Sequence, residues 1–128
     1  MLMLMTLLAC GEKEDTADTA PVQSDWEKAD EVLATSCGFS SCHGGGAGQL
    51  TLSADDPAIN HAALVNVASD VVEGAILVVP GDSSSSYLVQ KLNGAEGIEG
   101  TEMPPNQMME AERIALVTAW IDAGAEGP

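Results

Sequence analysis

The stretch Cys37-Gly38-Phe39-Ser40-Ser41-Cys42-His43 sets two thiols on one short turn and follows the second with an imidazole. Side chains of those types in that order suit covalent haem attachment: the thiols add across the two vinyl groups of one haem, and the next residue is held beneath the iron. His43 is then the proximal ligand. The usual spacing for this chemistry leaves two residues between the cysteines, and here there are four. Two other readings draw on the same residues. In an oxidising compartment Cys37 and Cys42 can pair as a disulfide and leave His43 exposed. Zinc asks for four ligands, and beyond Cys37, Cys42 and His43 the chain offers only His61 or carboxylates, in no recognisable metal-binding pattern.

Towards the N-terminus, Met1 to Cys10 is almost wholly apolar, ends in Leu7-Leu8-Ala9-Cys10 and gives way abruptly to acidic sequence. That ending resembles a bacterial lipobox, which implies cleavage before Cys10 and acylation of its thiol and new amino group. Nine residues fall well short of the about 20 that a helix needs to span hydrocarbon, so residues 1–9 are expected to be a signal remnant. No Lys or Arg precedes the apolar run, a departure from the usual charged start of a secretory signal. The chain has three cysteines, an odd number in an exported protein; lipid on Cys10 and haem on Cys37 and Cys42 use all of them. Residues 10–24 are polar, acidic and without apolar periodicity, and are expected to form a lipoprotein tether.

Residues 25–128 fit one compact domain. The whole chain has four aromatic residues, Trp26, Phe39, Tyr87 and Trp120, although aromatics ordinarily supply much of the buried area of a small domain; a haem would fill that deficit. Twenty acidic residues against four basic ones, Lys13, Lys28, Lys91 and Arg113, give a formal charge of −16. Such a balance disfavours nucleic acid and anionic lipid and favours basic or neutral partners. It also serves solubility.

Ser24 caps a helix from about Asp25 that puts Trp26, Ala29, Val32 and Leu33 on one face and runs into Cys37. The run Gly44-Gly45-Gly46-Ala47-Gly48 is expected to be an irregular loop whose backbone lies close to a flat ligand. Asp56-Pro57 opens a second helix carrying Ile59, Ala62, Ala63, Val65 and Val67 to about Ala68. Residues 74–80 read as a short extended run, followed by a turn at Pro80-Gly81-Asp82. A third helix is expected from about Ser85 to Leu92 with Gly94 as its stop, then a long loop from Asn93 to Gln107. The last helix opens at Met109, carries Ile114, Leu116, Val117, Trp120 and Ile121, and ends at Gly124.

A second axial ligand is sought among Met103, Met108, Met109 and His61. Met103 is preferred, because Pro104 holds its predecessor extended and stiffens the irregular loop that presents the thioether. Met108 and Met109 suit the apolar entry of the last helix, and His61 lies mid-helix among apolar residues. An open distal position would instead suit a peroxidase-like or gas-sensing haem.

Together, CGFSSCHGG at 37–45, PGDSSSSYLVQKL at 80–92, EMPP at 102–105 and AWIDAGA at 119–125 resemble the small bacterial c-type cytochrome domains, many of them lipoproteins. The resemblance implies an all-α, cytochrome c-like fold of about four helices around one covalently bound haem, with the first and last helices crossing and a long irregular distal loop. It further implies haem c attached at Cys37 and Cys42, iron ligation by His43 and Met103, and one-electron transfer to redox partner proteins rather than catalysis. By the same analogy the chain belongs to the cell envelope, facing the periplasm on its lipid anchor; Gly11, rather than Asp, after the acylated cysteine favours the outer membrane. A haem-free helical interaction module closed by a Cys37–Cys42 disulfide is the alternative.

Overall fold

The structure, a computed structural model, describes residues 22–128; the expected signal remnant, Cys10 and most of the tether lie outside them. The described residues are all-α, with α1 (Asp25–Cys37), α2 (Pro57–Leu64), α3 (Tyr87–Asn93) and α4 (Ala111–Asp122). No helix among them is long and apolar enough to cross a membrane.

Helix α1 begins in a capping box. Ser24 Oγ accepts from the Glu27 N–H at 3.2 Å, and the Glu27 carboxylate accepts from the Ser24 N–H at 2.6 Å, satisfying donors that the first turn otherwise leaves unpaired. Its buried stripe is Trp26, Ala29, Val32, Leu33 and Cys37. Ala29, Leu33 and Cys37 follow one another at four-residue spacing, so helical periodicity itself turns the Cys37 thiol inward. Helix α4 presents Ile114, Val117, Trp120 and Ile121 and packs against α1. At their contact the Trp26 and Trp120 rings lie 4.8 Å apart at 46°. His61 of α2 meets the Trp26 ring edge-on at 5.2 Å and donates through Nε2 to the Ala125 carbonyl at 2.9 Å. Leu116 stays largely on the surface, so the buried stripe of α4 is narrower than its apolar sequence suggests.

Helix α2 starts as expected, with the Asp56 carboxylate accepting from the Ala58 and Ile59 N–H groups and Pro57 in the first turn. It ends at Leu64 rather than Ala68. From Val65 the backbone turns extended and pairs with the 76–78 segment: Asn66 N–H donates to Val78 O at 2.9 Å and Leu77 N–H to Val67 O at 2.8 Å. Asn66 has a φ of 59°, a left-handed conformation that asparagine tolerates and that stops a helix. These contacts amount to single-residue bridges, at Val65–Val78, Ala68–Ile76 and Ile76–Ser86.

Helix α3 starts at Tyr87, two residues later than expected, because the serines before it make a turn: Asp82 accepts from Ser84 Oγ at 2.6 Å and Ser85 Oγ at 2.7 Å. Ser86, fully buried, donates through Oγ to Asp82 O and accepts from the Val79 N–H. Gly94, at φ 60°, closes the helix as expected. Met109 precedes α4 instead of opening it and is buried in the core. The glycine run is more ordered than expected, forming two 3₁₀ turns at His43–Gly45 and Ala47–Gln49.

One polar side chain ties these parts together. Asn60, fully buried, accepts from Ser53 N–H at 2.6 Å and donates to Asp30 Oδ1 at 2.7 Å and Ser53 O at 2.9 Å. It shares a helix face with Leu64, one turn on, and joins α2 to α1. Replacing it with alanine strands all three partners, so Asn60→Ala is expected to cost about 2–4 kcal/mol of unfolding free energy, read from the denaturant midpoint. A loss well below about 1 kcal/mol would mean that water replaces the side chain there.

Candidate haem site

The first turn after α1 is built by backbone hydrogen bonds that fold the chain tightly back on Cys37. The Phe39 carbonyl accepts from the N–H groups of Cys42 and Gly44, each at 2.9 Å, and the Cys42 carbonyl accepts from Gly45 at 3.0 Å. A side chain at Gly44 would run into the Gly38 carbonyl, and one at Gly45 into that of Ser40. The close approach expected of this run is therefore made, at these two glycines, to the chain's own turn. Gly48 lies nearer the site: a Cβ there would meet His43 Cε1 at 3.8 Å.

His43, half-buried, is held by its ring. Nδ1 lies 3.1 Å from the Leu50 carbonyl, and since a carbonyl only accepts, Nδ1 carries the proton. A neutral His43 therefore has its lone pair on Nε2, the arrangement of a metal-ligating histidine whose second nitrogen is fixed by an outer partner. The His43 carbonyl also accepts from Leu52 N–H at 3.0 Å, which pins the 50–52 segment beside the ring.

His43 lies on the wall of an apolar cavity of about 810 Å3, between α2, α3 and the loop that follows α3. Cys37, His43 and Met103 all line it, together with such apolar residues as Leu64, Val67 and Leu92. The volume lies within the range of about 300–1,000 Å3 typical of small-molecule and cofactor pockets. Residues at the end of α1 and in the loop after α3 thus meet across one space. Cys42 is half-buried, beside His43 in sequence but not on the wall. Both cysteines are free thiols in the structure.

The other axial candidates are placed elsewhere. His61 does not line the cavity; its ring packs edge-on against Trp26 and Trp120 and is bonded to Ala125. Met108 is 64% exposed, and Met109 is part of the α1–α4 core. Met103 alone of the four lies on the wall, where a neutral, soft thioether and a neutral imidazole would suit a haem iron. Among the basic residues of the domain, Lys91 lines the cavity, whereas Arg113 donates to Thr35 Oγ1 at 2.7 Å. Three partners here were not legible beforehand: the Leu50 carbonyl, being backbone, leaves no mark in the sequence, and Tyr87 and Lys91 gave only apolar spacing and a rare positive charge.

No family model, curated protein or solved structure matches the chain.

Burial pushes the Cys37 thiol up to about 11, with the neighbouring Cys42 adding to the effect and Arg113 opposing it. The thiol form of the protein therefore keeps Cys37 protonated at neutral pH, where it is a poor nucleophile. Above the ordinary value of 9.0 the unfolded chain gives up this proton before the folded one does. Stability is thus intact below pH 9 and is lost as pH rises towards 11, by about 2 kcal/mol. Denaturant midpoints across that range should fall more steeply for the thiol form than for Cys37→Ala, which leaves every other titrating group in place. Equal slopes would show that the thiol is solvated. A chain with Cys37 in a thioether has no such proton to lose.

Proposed function

We propose that the chain is an exported monohaem c-type cytochrome with a cytochrome c-like fold that carries single electrons. Cys37 and Cys42 attach the haem, and His43 and Met103 are its axial ligands. The observation that carries this reading is that Cys37, His43 and Met103 lie on the wall of one apolar cavity. When bound, the haem would supply a one-electron ferric–ferrous couple, and a thioether ligand favours the ferrous state more than a second imidazole would.

The protein's own residues perform the remaining tasks. Leu50 O holds the His43 proton on Nδ1 and so keeps Nε2 available. Apolar wall residues such as Leu64, Val67 and Leu92 would shield a bound haem from water, lowering the local dielectric and disfavouring added charge. Cys37 is buried at the end of a helix whose other end is locked by a capping box, which makes it a stiff anchor. Cys42, less buried, is the more accessible of the two thiols. The charge of −16 suits transient docking to a basic or neutral redox partner and weakens attraction to nucleic acid. With a lipid on Cys10 the domain would work as a tethered carrier on the periplasmic face of the cell envelope, by analogy the outer membrane.

Spectroelectrochemistry of protein exported in a host with haem-maturation machinery tests this reading. The expected result is a reversible one-electron couple with a low-spin spectrum in both states. Met103→Ala is expected to give a high-spin or water-bound spectrum and a lower potential, whereas Met108→Ala leaves both unchanged. A coloured protein whose spectrum ignores Met103 would favour the open-site, peroxidase-like alternative, and a folded colourless one the disulfide-closed module. With a basic partner, the second-order electron-transfer rate should fall as ionic strength rises.

A further inference from the structure

The loop that carries Met103 lacks regular secondary structure, and Gly94, Gly97 and Gly100 all adopt positive φ there. A segment of that kind does not hold a side chain in place by itself. Residues 99–103 are fixed from one face of α3. The Lys91 ammonium donates to the carbonyls of Glu99, at 2.7 Å, and Thr101. The Lys91 carbonyl accepts the Met103 N–H at 2.9 Å. Tyr87, four residues earlier and so on the same helix face, accepts the Glu99 N–H through its hydroxyl at 3.0 Å.

We propose that Lys91 is the positioning residue for Met103, holding the 99–103 segment against the cavity through its ammonium, with Tyr87 as a second tie. The inference rests on the reading of Met103 as an axial ligand. Lysine suits the task because its ammonium offers three donors from one point, so it can bind two carbonyls of one strand of chain at once. Hydrogen bonds from a charged donor are the stronger kind, and these carbonyls have no helix or sheet to satisfy them. Lys91 is half-buried and lines the cavity, so the residue that holds the loop also borders the site. Three of the four fixings depend on two side chains, while the fourth is backbone and survives any substitution at 91.

The test compares haem-loaded full-length protein with Lys91→Leu, which keeps an apolar stem and removes the donors without adding a thioether at the cavity wall, and with Tyr87→Phe, which removes only a hydroxyl. Amide hydrogen exchange and the far-red thioether–iron band of the ferric protein are read on each. In Lys91→Leu, exchange in residues 99–103 should rise about tenfold or more, with α1 and α4 unchanged and the band weakened or lost. In Tyr87→Phe the rise should be smaller and centred on Glu99. Unchanged exchange in both variants overturns the proposal. So does faster exchange with an undiminished band, since the loop would then be loosened without consequence for the ligand. If the wild-type protein shows no such band, the axial-ligand reading fails, and the exchange comparison decides by itself whether Lys91 holds the loop.

Discussion

The hydrogen bond between Nδ1 of His43 and the Leu50 carbonyl is the constraint on which the site depends. It fixes one tautomer, leaves Nε2 as the free nitrogen, and ties the turn after α1 to the chain that forms the near wall of the cavity. Around it the backbone is folded so closely that Gly44 and Gly45 have no room for side chains. The turn is rigid because its own atoms fill it.

That rigidity is useful only if the far wall is equally well set. Helix α1 contributes to both ends of the problem. Its first turn packs Trp26 against Trp120 of α4, while its last residue, Cys37, reaches the cavity. The buried stripe thus links the α1–α4 core to the site along one helix. The opposite wall is less self-sufficient, since the loop from α3 to α4 is irregular and relies on Lys91 and Tyr87 for its fixings. The His43 side of the cavity is built from local backbone contacts, and the Met103 side from side chains reaching across from a neighbouring helix.

This asymmetry explains what the sequence reveals. Features set by adjacent residues were legible: the Ser24 cap, the Asp56-Pro57 helix start, the Gly94 stop, and the buried stripes of α1 and α4. Of the four axial candidates Met103 alone lines the cavity, and what marks it in the sequence is the proline that follows it. Features set by distant residues were not legible. Helix α2 stops at Leu64 because residues 65–68 find partners at 76–78, a contact that helical periodicity through Val65 and Val67 does not betray. Asn60 reads as an ordinary polar residue until Asp30 and Ser53 close around it. His61, a possible ligand by type, is drawn away by Ala125 and two tryptophans.

The proposed site requires a covalent link, with Cys37 and Cys42 bonded to a cofactor and not to each other. The intact mass of the denatured protein, after export in a haem-maturing host and exposure to a thiol-alkylating reagent, tests it most directly. Haem attachment gives a chain heavier by one haem, with no alkylation at Cys37 or Cys42. A chain at the unmodified mass less two hydrogens, with neither thiol alkylated, would contradict it and identify the pair as a disulfide.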